Sequence, residues 1–167
     1  MKSGIEKEEF VGLFSQLYKP VKNFIYYKTG DIDLADDIAQ DTFLKVWEIR
    51  KDVRMATVKS LLYTIAGNLC KNRFSHQQII FEFAGRFESK ERPPSPEFEM
   101  ELKEFHIRLQ QAVGTLSEKN RVVFLMNRAD GYTFKEIAEN LGLTVKAVEK
   151  RMKNALNDLQ GKIAHKL

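Results

Sequence analysis

One cysteine, Cys70, stands in a chain of 167 residues, so no intramolecular disulfide and no cysteine-based metal cluster can be built. It reads as a small helix residue. Three histidines, His76, His106 and His165, are scattered, and no nucleophile–base pair or phosphate-binding glycine loop accompanies them. The expectation is a chain that is not an enzyme and holds no metal or cofactor. No apolar run approaches the roughly 20 residues of a membrane-spanning helix. The opening MKSGIEKEEF has no signal-peptide core, which predicts a soluble, cytoplasmic protein. Strand-like alternation of useful length is missing throughout, so the expected class is all-α. Proline is scarce, and three of the four prolines fall in one cluster, RPPSPE at 92–97.

What is present favours an anionic partner. The net charge is +4 with a pI of about 9.1. Hydrophobic residues make up 43%, enough for one compact core or two small ones.

The stretch Thr133 to Asn154, TFKEIAENLGLTVKAVEKRMKN, reads as two helices joined by a tight turn. Thr133 and Glu136 have capping-box spacing. Ile137, Ala138 and Leu141 form an inward stripe, and Ala138 is small where two helices cross. Gly142 supplies a left-handed turn residue. Leu143 plugs the gap, and Thr144 caps the second helix. On that helix Val148, Met152, Ala155 and Leu159 form the apolar face, while Lys146, Ala147, Lys150, Arg151 and Asn154 share another. Thr144–Lys153 carries four bases and one acid, a net +3. This is helix-turn-helix logic, whose second helix enters the DNA major groove. The plainer alternative is an ordinary surface helix of a bundle; turn, caps and charge together favour DNA.

Two helical domains joined by a flexible linker are expected. Residues 76–100 contain the proline cluster and, from Ser75, a net charge of −2, as in interdomain linkers. Phe81, Phe83 and Phe87 within it suit docking on a partner or on a lobe. The N-terminal domain, 1–75, reads as a helix marked by Phe10, Phe14, Leu17, Val21 and Phe24 and bent near Pro20, a second from about Asp33 to Arg50, and a third from about Thr57 to Phe74. The C-terminal domain, 101–167, reads as a helix near 101–114, another from a Ser117 cap to Ala129, and the helix-turn-helix.

Charge is sorted along the first domain. From Asp31 to Glu48 there are six acids and one base; from Arg50 to Arg73 there are six bases and one acid. An acidic helix beside a basic loop and helix suggests two partners of opposite charge, a basic protein surface and a nucleic acid. On the acidic helix Asp37, Gln40, Asp41, Leu44 and Glu48 share one face, flanked by Trp47. Ala35, Ile38, Thr42, Val46 and Ile49 share the opposite, core-facing one. For Trp47, core packing and interface are equally good readings.

Taken together, DIDLADDIAQDTFLKVWE at 31–48, LLYTIAGNLCKNRF at 61–74 and TLSEKNRVVFLMNRADGYTFKEIAENLGLTVKAVEKRMKNALNDL at 115–159 resemble regions 2.2, 2.3–2.4 and 4 of the extracytoplasmic-function (ECF) class of bacterial sigma factors. The resemblance covers nearly the whole chain. It implies a transcription initiation factor that binds core RNA polymerase and directs it to promoters. It puts Asp37, Gln40, Asp41, Leu44 and Trp47 against the polymerase. It puts Arg50, Lys51, Arg54, Lys59, Asn68, Lys71, Asn72 and Arg73 at the −10 element, Asn68 beside a base flipped from the strand. The loop Arg50, Lys51, Asp52, Val53, Arg54 and Met55 would enclose that base. Thr144, Lys146, Ala147, Lys150, Arg151 and Asn154 would read the −35 duplex. The resemblance also implies a linker threading polymerase channels and a membrane-associated anti-sigma partner. Gly67 departs from the larger, often basic residue of many relatives, and Leu61 from a frequent aromatic.

Two rivals differ in class. A stand-alone helix-turn-helix regulator explains the C-terminal domain but neither the acidic face nor Asn68 and its basic surroundings. An enzyme would need Asp36, Asp37 and Asp41 as metal carboxylates, with no second acidic helix to meet them.

Overall fold

The computed structural model describes residues 3–73 and 95–164. Among them the chain forms helices and no strand. The first, α1 (Lys7–Thr29), starts with a capping box in which the Glu6 N–H donates to Glu9 Oε2 at 2.8 Å. It continues through Pro20 as one helix and stops at Gly30, whose φ of 68° is the left-handed conformation that ends helices. Asp31 then caps α2 (Ile32–Ile49), accepting from the N–H groups of Asp33 and Leu34 at 3.0 Å each. A 3₁₀ turn, Arg50–Asp52, and a short loop lead to α3 (Val58–Arg73).

These three helices pack on one another around Leu17, Val21, Phe24, Ile38, Phe43, Val46, Leu62 and Ala66, all buried. Each such large apolar side chain contributes roughly 1.5–3 kcal/mol on burial. Thr42 is buried with its hydroxyl donating to the Ile38 carbonyl at 2.7 Å. Two expected core residues lie outside: Phe14 is 42% exposed and Ile49 44%. Phe14 rests on the rim, its ring 5.2 Å from Phe43 and 4.8 Å from Tyr18. Ile49 is the last residue of α2, and Val53 from the following loop joins the core instead.

The second lobe holds α4 (Pro96–Gly114), α5 (Glu118–Arg128), α6 (Phe134–Leu141) and α7 (Val145–Ala164). Helix α4 begins five residues ahead of the expected 101. Ser95 caps it, accepting from the Phe98 N–H at 3.2 Å. Pro96 occupies the first helical position, where a missing N–H is harmless. The prolines therefore mark a helix start as well as a break, and 96–100 of the expected linker is helical. The remaining linker positions up to 94, with Phe81, Phe83 and Phe87, lie outside the described residues, as does Phe74.

Helices α4, α5 and α6 pack on α7 through Val148, Met152, Ala155 and Leu159, the face expected from spacing. The helix-turn-helix forms as read. Thr133 and Glu136 make the capping box, Gly142 takes φ 66°, and Thr144 Oγ1 accepts from the Ala147 N–H at 3.1 Å. The two lobes touch, α1 against α5 and α3 against α6. Cys70 is buried in α3, and burial pushes its thiol up to about 11, as suits a packing residue.

Candidate partner and nucleic-acid interfaces

Helical spacing on α2 carries Asp37, Gln40, Asp41 and Leu44 onto one outward face. Asp37 and Gln40 are exposed, Asp41 is half-buried, and Leu44 is 54% exposed. Leu44 is thus an uncovered leucine set among carboxylates on this face. Trp47 is half-buried: its ring meets Phe10 edge-on at 5.0 Å and carries the Arg50 guanidinium at 3.7 Å. It serves packing and also borders the exposed face. Asp36 lies off this face. It accepts from the Tyr18 hydroxyl and sits 3.5 Å from Lys22. These partners, Tyr18 first, hold its carboxyl below the ordinary range, while burial and Asp36 push the Tyr18 hydroxyl up to about 12. Asp41 is likewise engaged, with Arg73 of α3 at 2.5 Å. The carboxylates Asp36 and Asp41 are thus turned to internal partners, a contrast with shared metal ligation.

The basic half of the lobe is not uniformly free. Lys51, Arg54, Lys71 and Asn72 are exposed, and Asn68 is exposed on α3 between Lys71 and Thr64. Arg50 is pinned: it stacks on Trp47 and donates from Nη1 to the Trp47 carbonyl at 2.8 Å. Arg73 faces Asp41, and the Lys59 ammonium lies 5.8 Å from the Tyr132 ring centre, across the lobe boundary. One surface pair, Arg73 with Asp41, therefore joins the two charge blocks of the sequence. At Gly67 a side chain would meet nothing within 4 Å, so its space is open.

The loop between α2 and α3 is held by residues that spacing arguments cannot reach. The Gly4 N–H donates to the Val53 carbonyl at 3.1 Å and the Ile5 N–H to the Arg50 carbonyl at 2.8 Å. Ile5 is buried at 4%, and Val53 at 6%. Gly4 has φ 104°, and a Cβ there would stand 3.1 Å from the Lys51 carbonyl oxygen. Residues 3–5 thus act as a splint on the loop. The glycine-then-isoleucine pair was the available signal, but it says nothing about a partner some 45 residues away.

On α7 the exposed face carries Lys146, Lys150 and Asn154, with Thr144 before it and Ala147 and Arg151 half-buried. None of these cations forms an ion pair among the described residues. Arg121 of α5 escaped the sequence reading. It is 3% exposed, in an otherwise apolar run, RVVFLM. Its guanidinium donates to three carbonyls: Tyr27 at 2.7 Å, Leu116 at 3.0 Å and Lys28 at 3.1 Å. A buried arginine beside five apolar residues is itself a signal that carbonyls must be waiting for it.

Comparison with known proteins agrees with this geometry. The family Sigma-70 region 2 matches residues 13–79, and Sigma-70, region 4 matches residues 106–159. The chain is 29% identical over 150 residues to the ferric citrate uptake sigma factor FecI of Escherichia coli (strain K12), spanning 88% of this chain and 86% of that one. It is 25% identical over 162 residues to the ECF RNA polymerase sigma factor RpoE of Cereibacter sphaeroides, spanning 93% and 86%. Two solved structures share the fold, each with a TM-score of 0.64. One is the sigma factor RpoE in complex with the anti-sigma factor NepR from Bartonella quintana, at 19% identity over 94% of this chain and 98% of that one. The other is CnrH in complex with the cytosolic domain of CnrY, at 21% identity over 96% and 90%. Two helical lobes with these region matches, in this order, define a sigma factor. The chain belongs to the sigma-70 family, in its ECF class, and its partners by that class are RNA polymerase and promoter DNA. No described helix is long and apolar enough to cross a membrane.

Proposed function

We propose that the chain divides its work among three surfaces. The outward face of α2, with Asp37, Gln40, Asp41, Leu44 and the edge of Trp47, docks on core RNA polymerase. The loop after α2 and the exposed side of α3, with Lys51, Arg54, Asn68, Lys71 and Asn72, capture the melted −10 strand. The α7 face from Thr144 to Asn154 reads the −35 duplex. The domains are 1–75 and, with the first turn of α4 included, 96–167, with 76–95 between them as the connector. The chain performs no covalent chemistry, works in the cytoplasm, and is held in check by an anti-sigma partner.

The observation that carries this reading is the exposed Leu44 set among carboxylates on one lobe, with a cationic recognition helix on the other. Extruding a base costs a few kcal/mol of stacking. A loop whose backbone is tied down, as this one is at Val53 and Arg50, loses less entropy on holding it. Phosphate contacts anchor and base contacts specify. On α7 that assigns anchoring to the lysines, and base-edge contact to Asn154 and Arg151.

The test is binding of the purified chain to bacterial core RNA polymerase. Asp41 pairs internally with Arg73, so the cleaner variant is Asp37→Arg with Leu44→Asp. Tight binding by the parent and loss of at least tenfold in the variant are expected. Equal binding by both would move the polymerase interface off α2. No binding by the folded parent would favour a stand-alone DNA-binding regulator.

A further inference from the structure

A cavity of about 240 Å³ opens where α1, α3, α5, α6 and α7 come together. Its volume lies just below the roughly 300–1,000 Å³ of sites for drug-sized molecules, so its guest is smaller than those. A void left by imperfect packing is apolar all round and stays dry. This one has two kinds of wall. Phe24, Val122, Leu141 and Leu143 make one side apolar. On the other, Lys28, Lys119 and Arg151 stand against a single acid, Glu118, a net +2. Glu118 is already met by Lys28 at 2.5 Å. Lys119 and Arg151 form no ion pair among the described residues.

The same wall holds a buried amide. Asn140, near the C-terminal end of α6, is 3% exposed and lines the cavity. Its NH2 group has no hydrogen-bond partner among the described residues. An unpaired buried donor lowers stability, and an apolar residue of similar shape, such as leucine, would remove that cost. The amide torsion is soft, so the NH2 can turn to an acceptor held in the cavity. The groups left without partners, one amide and two cations, are all donors. The guest that answers them is an acceptor and an anion.

We infer that this cavity is a binding site for a small organic monoanion, a carboxylate carried on an aromatic or branched aliphatic body. The Arg151 fork and the Lys119 ammonium take the carboxylate, and the Asn140 NH2 donates to it. Phe24, Val122 and Leu143 cover the body. Glu118 beside the head group disfavours a doubly charged phosphate by like-charge repulsion. Arg151 also belongs to the α7 face proposed above for the −35 duplex. A guanidinium turned onto the carboxylate is withdrawn from DNA, so acid and duplex compete for it. That consequence rests on the −35 assignment; the binding site does not.

Phenylacetate is the probe, and phenylacetamide, of the same shape without the charge, is its control. The nitrogen-labelled full chain is titrated with each while the side-chain amide protons of Asn140 are followed by magnetic resonance. Saturable movement of that signal by phenylacetate, with phenylacetamide roughly tenfold weaker or worse, is expected. Lys119→Ala should weaken binding about threefold, because that lysine is exposed. Asn140→Leu should weaken it roughly tenfold and raise the Tm of the free chain. Phenylacetate should raise the Tm of the parent by mass action and that of Asn140→Leu far less. Equal binding of acid and amide, or an Asn140 signal that stays still as the acid is added, would overturn the site. So would a folded Asn140→Leu with a lowered Tm, which would mean that the amide is already satisfied by ordered water. Phenylacetate should also weaken promoter-duplex binding by the parent and spare that of Asn140→Leu. Unchanged duplex affinity at saturating acid would strike the competition through Arg151. A parent that binds no promoter duplex even without acid would strike the −35 reading and leave the titration result standing.

Discussion

The two surfaces proposed to meet DNA are built on opposite principles. The α7 face stands ready: its lysines form no ion pair among the described residues, and its geometry is fixed by caps and a turn within 22 residues of sequence. The surface proposed for the −10 strand is already spoken for in part. Arg50 lies on Trp47, Arg73 on Asp41, and Lys59 over Tyr132. Duplex contact by α7 needs only counterion release. Strand capture by the first lobe exchanges internal contacts for nucleic-acid ones, so its free energy depends on neighbours that never touch DNA. The α2 face proposed for polymerase is coupled to it, because Trp47 and Asp41 on α2 hold Arg50 and Arg73 in place.

The largest expected effect breaks the readier surface. Lys146→Ala and Lys150→Ala, together with Lys153→Ala at an equally exposed position on α7, should lower duplex affinity by about two orders of magnitude at moderate salt. The plot of log affinity against log salt should flatten by about 0.9 for each phosphate that no longer meets a lysine. Core polymerase binding should not change. A salt slope equal to the parent's would mean that these lysines face solvent rather than phosphate.

A smaller effect sharpens the comparison on the other lobe. Gly4→Ala places a Cβ 3.1 Å from the Lys51 carbonyl at φ 104°, a conformation that L-residues resist. The splint should slip and the loop loosen, reducing promoter opening by about three- to tenfold while binding to −35 duplex and to core polymerase stays intact. The strain, of order 1 kcal/mol, is too small to unfold the lobe. Unchanged opening, followed by a fluorescent base at −10, would show that the loop needs no such support.

The same contrast explains what the chain made readable. The helix-turn-helix could be written down residue by residue, because Thr133 with Glu136, Gly142 and Thr144 act over three or four positions. The apolar face of α7 repeats at fixed spacing. The α2 face was legible for the same reason, down to the exposure of Leu44. What could not be read depends on residues brought together by folding. Gly4 meets Lys51, Asp41 meets Arg73, and Arg121 meets Tyr27 across 94 positions. Sorted charge blocks suggested two external partners, and the fold turns part of each block against the other. At α4 local chemistry was present but read with the wrong sign: proline forbids a helix interior and favours a helix start, and Ser95 is what decides between them.

The smallest effect concerns the contact that braces α1 against α2 behind the polymerase face. The Tyr18 hydroxyl donates to Asp36, whose carboxyl lies below its ordinary pKa, while the phenol is pushed up to about 12. A depressed carboxyl contributes stability above its unfolded value, and that contribution is lost as pH falls through the folded one. A raised phenol contributes below its unfolded value near 10, and that contribution is lost as pH rises from about 10 toward 12. The bond therefore supports the lobe between about pH 4 and pH 10 and fades on both sides. The bond is only part-buried and solvent screens it, so the gain is modest. Tyr18→Phe should flatten the acid and alkaline shoulders of a thermal-stability profile while lowering the neutral plateau only slightly. If the variant kept both shoulders, the brace would lie in the ring packing of Tyr18 on Phe14 and Phe43 and not in its hydroxyl. The α1–α2 brace beside the face proposed for polymerase would then rest on aromatic contact and the Lys22–Asp36 pair.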